Sequence, residues 1–287
     1  MTGQAAEVWR FREVVKNFVA QDLKVKYRRS ALGFLWSLMN PLLQMIVLST
    51  VFSLIFHGIP NFTLYILSGI VCWNFFAASV DGCAVSILGA ESMLKRQYFP
   101  KLIFPLSTVI QNLVTFVLSL SVLLLIVGPF SGFRVTSALA VLPLSFACMV
   151  CFTLGVGAIA AVATVHFRDM QHLITVFLGA MFYLTPIIYP LDDKTIPPSG
   201  EPTVTASGAV ELTGRAEVAK GPIPPQYRKY FKINPLFSLL SMFQRPIYDG
   251  MLPTRLETAA AVGISLASLG AGLLVFRRFE GGLIFRL

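Results

Sequence analysis

Long apolar runs separated by short charged segments are the main pattern of this chain. Six of these runs are long enough to cross the hydrocarbon core of a bilayer as helices, which takes about 20 apolar residues. The six predicted spans lie at about residues 32–56, 62–79, 102–127, 135–165, 173–189 and 258–276. Near the outer end of the fifth span, Thr185-Pro186 is predicted to break or bend the helix. The pattern therefore predicts an all-α membrane protein with six transmembrane helices.

Residues 1–30 have a different periodicity and are predicted to form a cytoplasmic, amphipathic interface helix. Apolar side chains recur there at the spacing of one helix face, with polar side chains between them. The apolar positions are Val8, Phe11, Val15, Phe18, Val19 and Leu23. Such a helix lies at the membrane surface, and it either serves as a lipid anchor alone or also rests against a cytoplasmic protein. Residues 31–287 form the predicted transmembrane domain.

The positive charges predict the orientation of the spans. Lysine and arginine cluster at residues 24–29, 95–101 and 277–278, and such clusters mark the cytoplasmic side of a membrane protein. Six spans then place both termini in the cytoplasm. Between the second and third spans, Glu91 to Tyr98 is predicted to be a short helix that Pro100 ends.

Residues 191–256 are predicted to lie on the outer side. The first part is polar and rich in proline, and the alternation at residues 203–206 and 210–213 predicts a small β-hairpin. Residues 235–248 are apolar, but a helix of about 14 residues is too short to span the bilayer. This segment is therefore predicted to be re-entrant and to sit in the outer leaflet.

Composition supports the membrane class and excludes an ordinary soluble domain. Of the 287 residues, 55% are hydrophobic and only 13% are charged, and the mean hydropathy is +0.73. The net charge of +9 arises from 23 lysines and arginines against 14 acids. Because the basic residues concentrate beside apolar runs, they indicate membrane topology rather than a nucleic-acid partner.

The cysteines indicate neither disulfides nor a metal site. Cys72, Cys83, Cys148 and Cys151 all fall within or next to apolar runs. The last two have C-x-x-C spacing but lack a second cysteine or histidine pair. We therefore predict packing residues, with no metal and no cofactor in this chain.

Two missing features shape the functional prediction. Ion-driven transporters carry titrating groups inside their membrane helices, whereas Asp81, His172 and Glu257 fall near span ends. The sequence also lacks the phosphate loop G-x-x-x-x-G-K-[ST]. If the protein pumps a substrate, its energy must come from a partner, and the chain is not itself an enzyme.

Five stretches carry a family resemblance. They are Tyr27 to Ser30 with the following Leu32 to Pro41, residues 94–101, residues 167–172, residues 185–190, and Asn234-Pro235-Leu236. Their order resembles the membrane-spanning permease subunits of polysaccharide-exporting ABC transporters, the O-antigen and teichoic-acid exporter family. The resemblance implies two permease copies with two ATPase subunits, which bind ATP and Mg and export lipid-linked polysaccharide across the cytoplasmic (inner) membrane. Residues 195–222 depart from the family pattern.

Charged segments beside the spans are candidates for contact with the ATPase. Residues 94–101 and 167–172 resemble the two cytoplasmic coupling loops of the family. Apolar anchors in such contacts usually contribute more binding energy than charges at the rim. The candidate coupling residues are Glu91, Leu94, Lys95, Arg96, Tyr98, Phe99, Arg168 and Asp169.

Aromatic side chains are candidates for a glycan path, because sugar C–H faces stack on rings. The candidates are Phe34, Trp36, Tyr65, Trp73, Phe76 and Tyr183. The alternative for each is helix packing or anchoring at the membrane interface. Two other protein classes stay open: an intramembrane transferase acting on a lipid-linked substrate, and a structural scaffold. The first would need clustered acids or histidines at one membrane face, and the second would need no ATPase.

Overall fold

Helices make up most of the described chain. The computed structural model describes residues 9–27, 36–55, 62–130, 133, 135–189, 191, 194–196, 202–204, 210–212, 217–219 and 224–283. The α-helices are α1 (Arg12–Tyr27), α2 (Trp36–Ile55), α3 (Phe62–Gly89), α4 (Glu91–Leu94), α5 (Ile103–Val122), α6 (Leu142–His166), α7 (Met170–Leu184), α8 (Pro225–Lys232), α9 (Pro235–Gln244) and α10 (Arg255–Phe279). Short helical segments extend several of these helices. Leu123–Val127 after α5 and Arg245–Asp249 after α9 are π-helical, and Gly128–Phe130 is a single α-helical turn. Ser137–Val141 before α6 and Glu280–Gly282 after α10 are 3-10 helices.

Four helices within the described residues are long and apolar enough to cross a membrane. They are Phe62–Gly89, Ile103–Leu125, Ser137–His166 and Arg255–Gly282. Helix α7 is apolar but has only 15 residues, because it ends at Leu184, directly before the predicted break at Thr185-Pro186. Helix α2 has 20 residues. The described residues thus form a helical structure with four candidate membrane spans.

Short strands occupy part of the loop between α7 and α8. Strand β2 (Pro202–Val204) pairs antiparallel with β3 (Val210–Leu212), so the alternation in the sequence does produce a hairpin there. Strand β1 (Lys194–Ile196) pairs antiparallel with β4 (Glu217–Ala219) and encloses that hairpin in the chain order. The insert that departs from the family pattern therefore contains local β-structure within an otherwise helical chain.

Helix α3 is the centre of the bundle. It continues past the end of the predicted span at residue 79 as one helix of 28 residues, and most of its side chains are buried. Phe75 stacks on Phe116 of α5 at a ring distance of 4.9 Å, and Phe76 stacks on Phe152 of α6 at 5.5 Å. Stacked aromatic pairs of this kind hold three helices to one another.

Helices α6 and α10 cross at their backbones. Gly155 and Gly272 are both buried, and a Cβ atom at Gly272 would lie 2.3 Å from the carbonyl oxygen of Gly155. Across the same crossing, Ser268 Oγ donates a hydrogen bond of 3.0 Å to the Phe152 carbonyl. Small residues let membrane helices approach this closely, as the glycines of the fourth predicted span suggest.

The two ends of the bundle differ in character. At one end, which we call the basic end, α1, α4 and the last turns of α6 and α10 share an apolar cluster that includes Val15, Leu94 and Phe276. There Lys101 Nζ donates a hydrogen bond of 2.9 Å to the carbonyl of Glu280. At the other end, which we call the loop end, Asn234 Nδ2 donates to Thr185 Oγ1 at 2.9 Å.

Candidate functional site

The helix predicted from Glu91 to Tyr98 is shorter than expected. Only Glu91–Leu94 is helical, and the chain then turns, because Ala90 offers no side-chain cap at the start and few residues remain before Pro100. Leu94 is buried in the bundle. Lys95 donates to the Glu91 carboxylate on the surface, and this hydrogen bond, with the charges of Lys95 and then Arg168, holds the pKa of Glu91 below its ordinary value.

Phe99 and Tyr98 face different surroundings. Tyr98 is 70% exposed, whereas the Phe99 ring lies 6.3 Å from Phe11 and 6.4 Å from Phe18 of the interface segment. Phe99 also meets Phe104 at the start of α5, at 6.5 Å. The loop is therefore joined to the interface helix through Phe99, while Tyr98 is presented outward.

The two predicted coupling loops lie at the same end of the bundle. Arg168 and Asp169 are exposed in the turn between α6 and α7. The charge of Arg168 acts on the Glu91 carboxyl, which places the second loop near the first. Arg96 is also exposed, so both loops present charged side chains, together with Tyr98, at this end of the bundle. We call this the coupling surface.

The predicted aromatic path residues do not come together on one open face. Tyr65, Trp73 and Phe76 are buried within this chain. The Tyr65 hydroxyl donates to the carbonyls of Pro186 and Tyr189, at 3.2 and 3.0 Å, and so fixes the segment after α7. Buried aromatic side chains were not distinguishable from path-lining ones in the sequence, because α3 is apolar on almost every side.

The other aromatic candidates fall into two groups. Tyr183 is 71% exposed near the loop end of α7, and its carbonyl accepts a hydrogen bond of 2.7 Å from the Tyr189 hydroxyl. Phe34 and the side chain of Trp36 lie outside the described residues. Tyr183 is therefore the one candidate of the described set that is available to a ligand outside this chain.

A strip of polar side chains on the outside of α3 is the feature that sequence reasoning missed. Asn74 Nδ2 donates to Gln44 Oε1 of α2 at 2.9 Å, and Thr175 Oγ1 of α7 donates to Asp81 Oδ1 at 2.7 Å. Asn74 and Asp81 are seven residues apart and lie on the same face of α3, about 10 Å apart along its axis. We call Gln44, Asn74, Asp81 and Thr175 the polar strip.

Small side chains complete the floor of this strip. Ala77 is half-buried and Ala78 is exposed between Asn74 and Asp81, while their neighbours on α3 are buried. On either side, α2 and α7 present exposed apolar side chains, such as Val47 and Val176. The exposed face of α3 between these two helices is therefore polar at Asn74 and Asp81 and small at the alanines. Amide and carboxylate groups are costly in contact with lipid, so this face is suited to water, a polar ligand or another protein.

The seven-residue spacing was the available signal for this site. Two polar residues at i and i+7, with alanines at i+3 and i+4, stand on one helix face in a largely apolar run. Asp81 was interpreted as a solvated helix end, because the span was expected to finish at residue 79. Among the residues that the structure describes, no three His, Cys, Asp or Glu side chains lie close enough to hold a metal ion.

Comparison with known proteins identifies the class of protein that this fold and these surfaces define. The family model for ABC-2 type transporters matches residues 13–198. The chain therefore belongs to the ABC-2 type transporter family, and the resemblance seen in its sequence motifs is confirmed.

Several transport proteins are similar to this chain, and two of those described here match it over almost their full length. The chain is 31% identical over 271 residues to the O-antigen export system permease protein RfbA of Myxococcus xanthus, covering 94% of each chain. It is 32% identical over 173 residues to RfbA of Klebsiella pneumoniae, covering 60% of this chain and 67% of that one. It is 21% identical over 278 residues to the polysialic acid transport protein KpsM of Escherichia coli, covering 94% and 95%. These relatives support a transport subunit and give no support to the transferase alternative.

Proposed function

We propose that this chain is the membrane-spanning permease of an ATP-driven exporter that moves lipid-linked polysaccharide across the cytoplasmic membrane. Its full-length similarity to an O-antigen export permease supports this function. In this proposal the chain carries no ATPase of its own, and two nucleotide-binding subunits bind ATP and Mg and supply the energy. Two permease copies form the membrane part of the complex.

Six crossings suit this function. Helices α2, α3, α5, α6, α7 and α10 are the proposed spans, with α2 and α7 joining the four candidate spans already described. The exposed cations of the basic end support a cytoplasmic location for that end, and six crossings then give both termini the same location in this proposal. Helix α1 then lies at the cytoplasmic surface of the membrane, and α9 with the turn after it dips into the outer leaflet and helps to close the external mouth.

The polar strip is the observation that carries this proposal. A glycan presents many hydroxyl groups, which exchange hydrogen bonds with the amides of Gln44 and Asn74 and with the carboxylate of Asp81. A second copy facing the strip would shield it from lipid and enclose a hydrated path between the two chains. Tyr183 then lies where a sugar ring can stack as it leaves at the loop end.

The coupling surface gives the ATPase a place to act. Tyr98 fits a groove in the partner, while Arg96, Arg168 and Asp169 pair with charges at its rim. Because Phe99 holds the first loop to the interface helix, a displacement of the loop would move α1 and the start of α5 together.

Replacement of Asn74 and Asp81 by leucine tests the path. The double variant Asn74→Leu, Asp81→Leu should insert and bind its ATPase normally but lose most of its export, because the strip no longer offers polar partners to the glycan. Export is measured as polysaccharide displayed on the cell surface, and ATPase binding by co-purification. Ser121→Leu is the matched control, since Ser121 is an exposed polar residue of α5 that bonds only within its own helix, to the Val117 carbonyl.

Two results would contradict this assignment of the path. Normal export by the double variant would show that the glycan does not use the polar strip. An equal loss in Ser121→Leu would show that any polar-to-apolar change on the membrane face impairs the protein.

A further inference from the structure

A second surface lies away from the polar strip, between α6, α10 and the start of α7 at the basic end. It is a groove with a volume of about 430 Å³, walled by apolar side chains. Its lining includes Ile159, Val162, Ala163, Met170, Val275 and Phe279. We propose that this groove binds one acyl chain of an anionic phospholipid from the leaflet at the basic end.

The position and depth of the groove favour a lipid chain. From His166 to Ile159 it follows α6 for seven residues, about 10 Å along the helix and into the proposed hydrocarbon layer. A cytoplasmic protein does not reach that depth. A helix with side chains is about 10 Å or more across, too wide for a groove of this volume, whereas a single flexible hydrocarbon chain fits between the walls.

His166 and Phe279 fix the mouth of the groove. His166 Nδ1 lies 2.9 Å from the Val162 carbonyl, which orients the ring along its own helix. The same ring meets Phe279 of α10 edge to face, at 5.2 Å. This contact joins the two walls at the basic end, so the groove keeps its width without an occupant.

The charge at the mouth selects an anionic headgroup. Arg278 does not line the groove, but it lies between the lining residues Val275 and Phe279 in the sequence, about 60° around α10 from Val275. Its exposed side chain therefore lies at the flank of the groove mouth. No carboxylate among the described residues lies within ion-pair distance of Arg278. Asp169 and Glu280 are at the same end, so the selectivity rests on the position of Arg278 rather than on a large net charge. Basic pockets between membrane helices on the cytoplasmic side recognise lipid phosphates in this way.

Adjacent arginines provide a matched pair of variants. Arg277 has the same charge and the same exposure but faces away from the groove, because each residue of a helix is rotated by about 100° from the last. The full-length protein is reconstituted with phosphatidylglycerol or with phosphatidylcholine. Native mass spectrometry then counts the lipid molecules that stay bound to it. Wild type should retain phosphatidylglycerol in preference to phosphatidylcholine.

Arg278→Gln should lower phosphatidylglycerol retention about fivefold, since one basic residue beside an anionic lipid contributes about 1 kcal/mol. Arg277→Gln should change it less than about twofold, because that exposed side chain lies on the opposite side of α10, where water and salt screen its charge. Ala163→Trp, or the milder Ala163→Ile, should lower retention of both lipids by filling the groove. Thermal stability and gel filtration establish that each variant is folded.

Three results would overturn the proposal. Equal retention of the two lipids by wild type would remove the role of the headgroup. An equal effect of Arg277→Gln and Arg278→Gln would reduce that role to diffuse charge. If Ala163→Trp leaves lipid retention unchanged but alters the oligomeric state, the groove is a contact between two copies and does not bind lipid.

Discussion

Gly155→Ala should break the crossing of α6 and α10. A Cβ atom at Gly155 would lie 2.3 Å from the carbonyl carbon and oxygen of Ser268. These are backbone atoms and cannot rotate away, so the two helices must separate. Overpacking of this kind costs about 1–3 kcal/mol. Separation also lengthens the hydrogen bond from Ser268 to Phe152, and an interhelical hydrogen bond in a membrane contributes about 0.6 kcal/mol. We expect a loss of about 2–3 kcal/mol in the free energy of unfolding.

Gly270→Ala is the matched control on α10. Nothing lies within 4 Å of a Cβ atom at Gly270, and alanine is favoured over glycine in a helix by up to about 1 kcal/mol. The control should therefore be as stable as wild type or more stable. Reversible unfolding of the full-length protein in mixed micelles, followed by far-ultraviolet circular dichroism, measures both variants. If Gly155→Ala is as stable as Gly270→Ala, the close crossing of the backbones is refuted.

Two further predictions concern the ends of the bundle. Phe99→Ala should lower the free energy of unfolding by about 2 kcal/mol through lost ring packing. Tyr98→Ala should leave the free energy of unfolding within about 0.5 kcal/mol of wild type and reduce export. Equal stability of the two variants would contradict the different burial of these side chains. At the loop end, Arg245 and Glu257 form an ion pair of 2.8 Å with 33% and 15% side-chain exposure. Glu257→Gln keeps an oxygen for the helix cap and should lower the free energy of unfolding by about 1 kcal/mol. If urea titration finds no loss of stability, the ion pair contributes nothing.

The sequence predicted the helices well where an apolar run ends at proline or at charge. Helix α7 ends at Leu184, directly before Thr185-Pro186, as expected from the restricted backbone before proline. For helix α3 the sequence ended the membrane span at about residue 79 and allowed the helix to continue beyond it, and the helix does continue to Gly89. The partner of the Asp81 carboxylate on a neighbouring helix was not predicted. The pairing with Thr175 depends on tertiary structure, which hydropathy does not contain.

The candidate site was predicted less completely than the fold. The two loops of the coupling surface were located from their charges and motifs. The packing of Phe11 and Phe18 against Phe99 leaves Tyr98 as the residue that faces outward, and the sequence did not reveal this packing. Among the aromatic path candidates, hydrophobicity gave no information on direction around an apolar helix. Tyr65 is accordingly buried within the bundle, as Trp73 and Phe76 are.

Helix α7 is held only lightly by the rest of the chain. Leu178 is its one buried side chain. Lipid tails can replace the apolar neighbours of a helix that swings outward, so little free energy is lost there. Its hydrogen bond from Thr175 to Asp81 adds about 0.6 kcal/mol if it is typical of membrane helices. Reversing a two-state equilibrium from 1:99 to 99:1 takes about 5.5 kcal/mol of differential binding. In the proposed exporter, a nucleotide-driven partner needs only a differential binding energy of that size to swing α7 as a movable wall, while α6 and α10 remain interlocked as the frame.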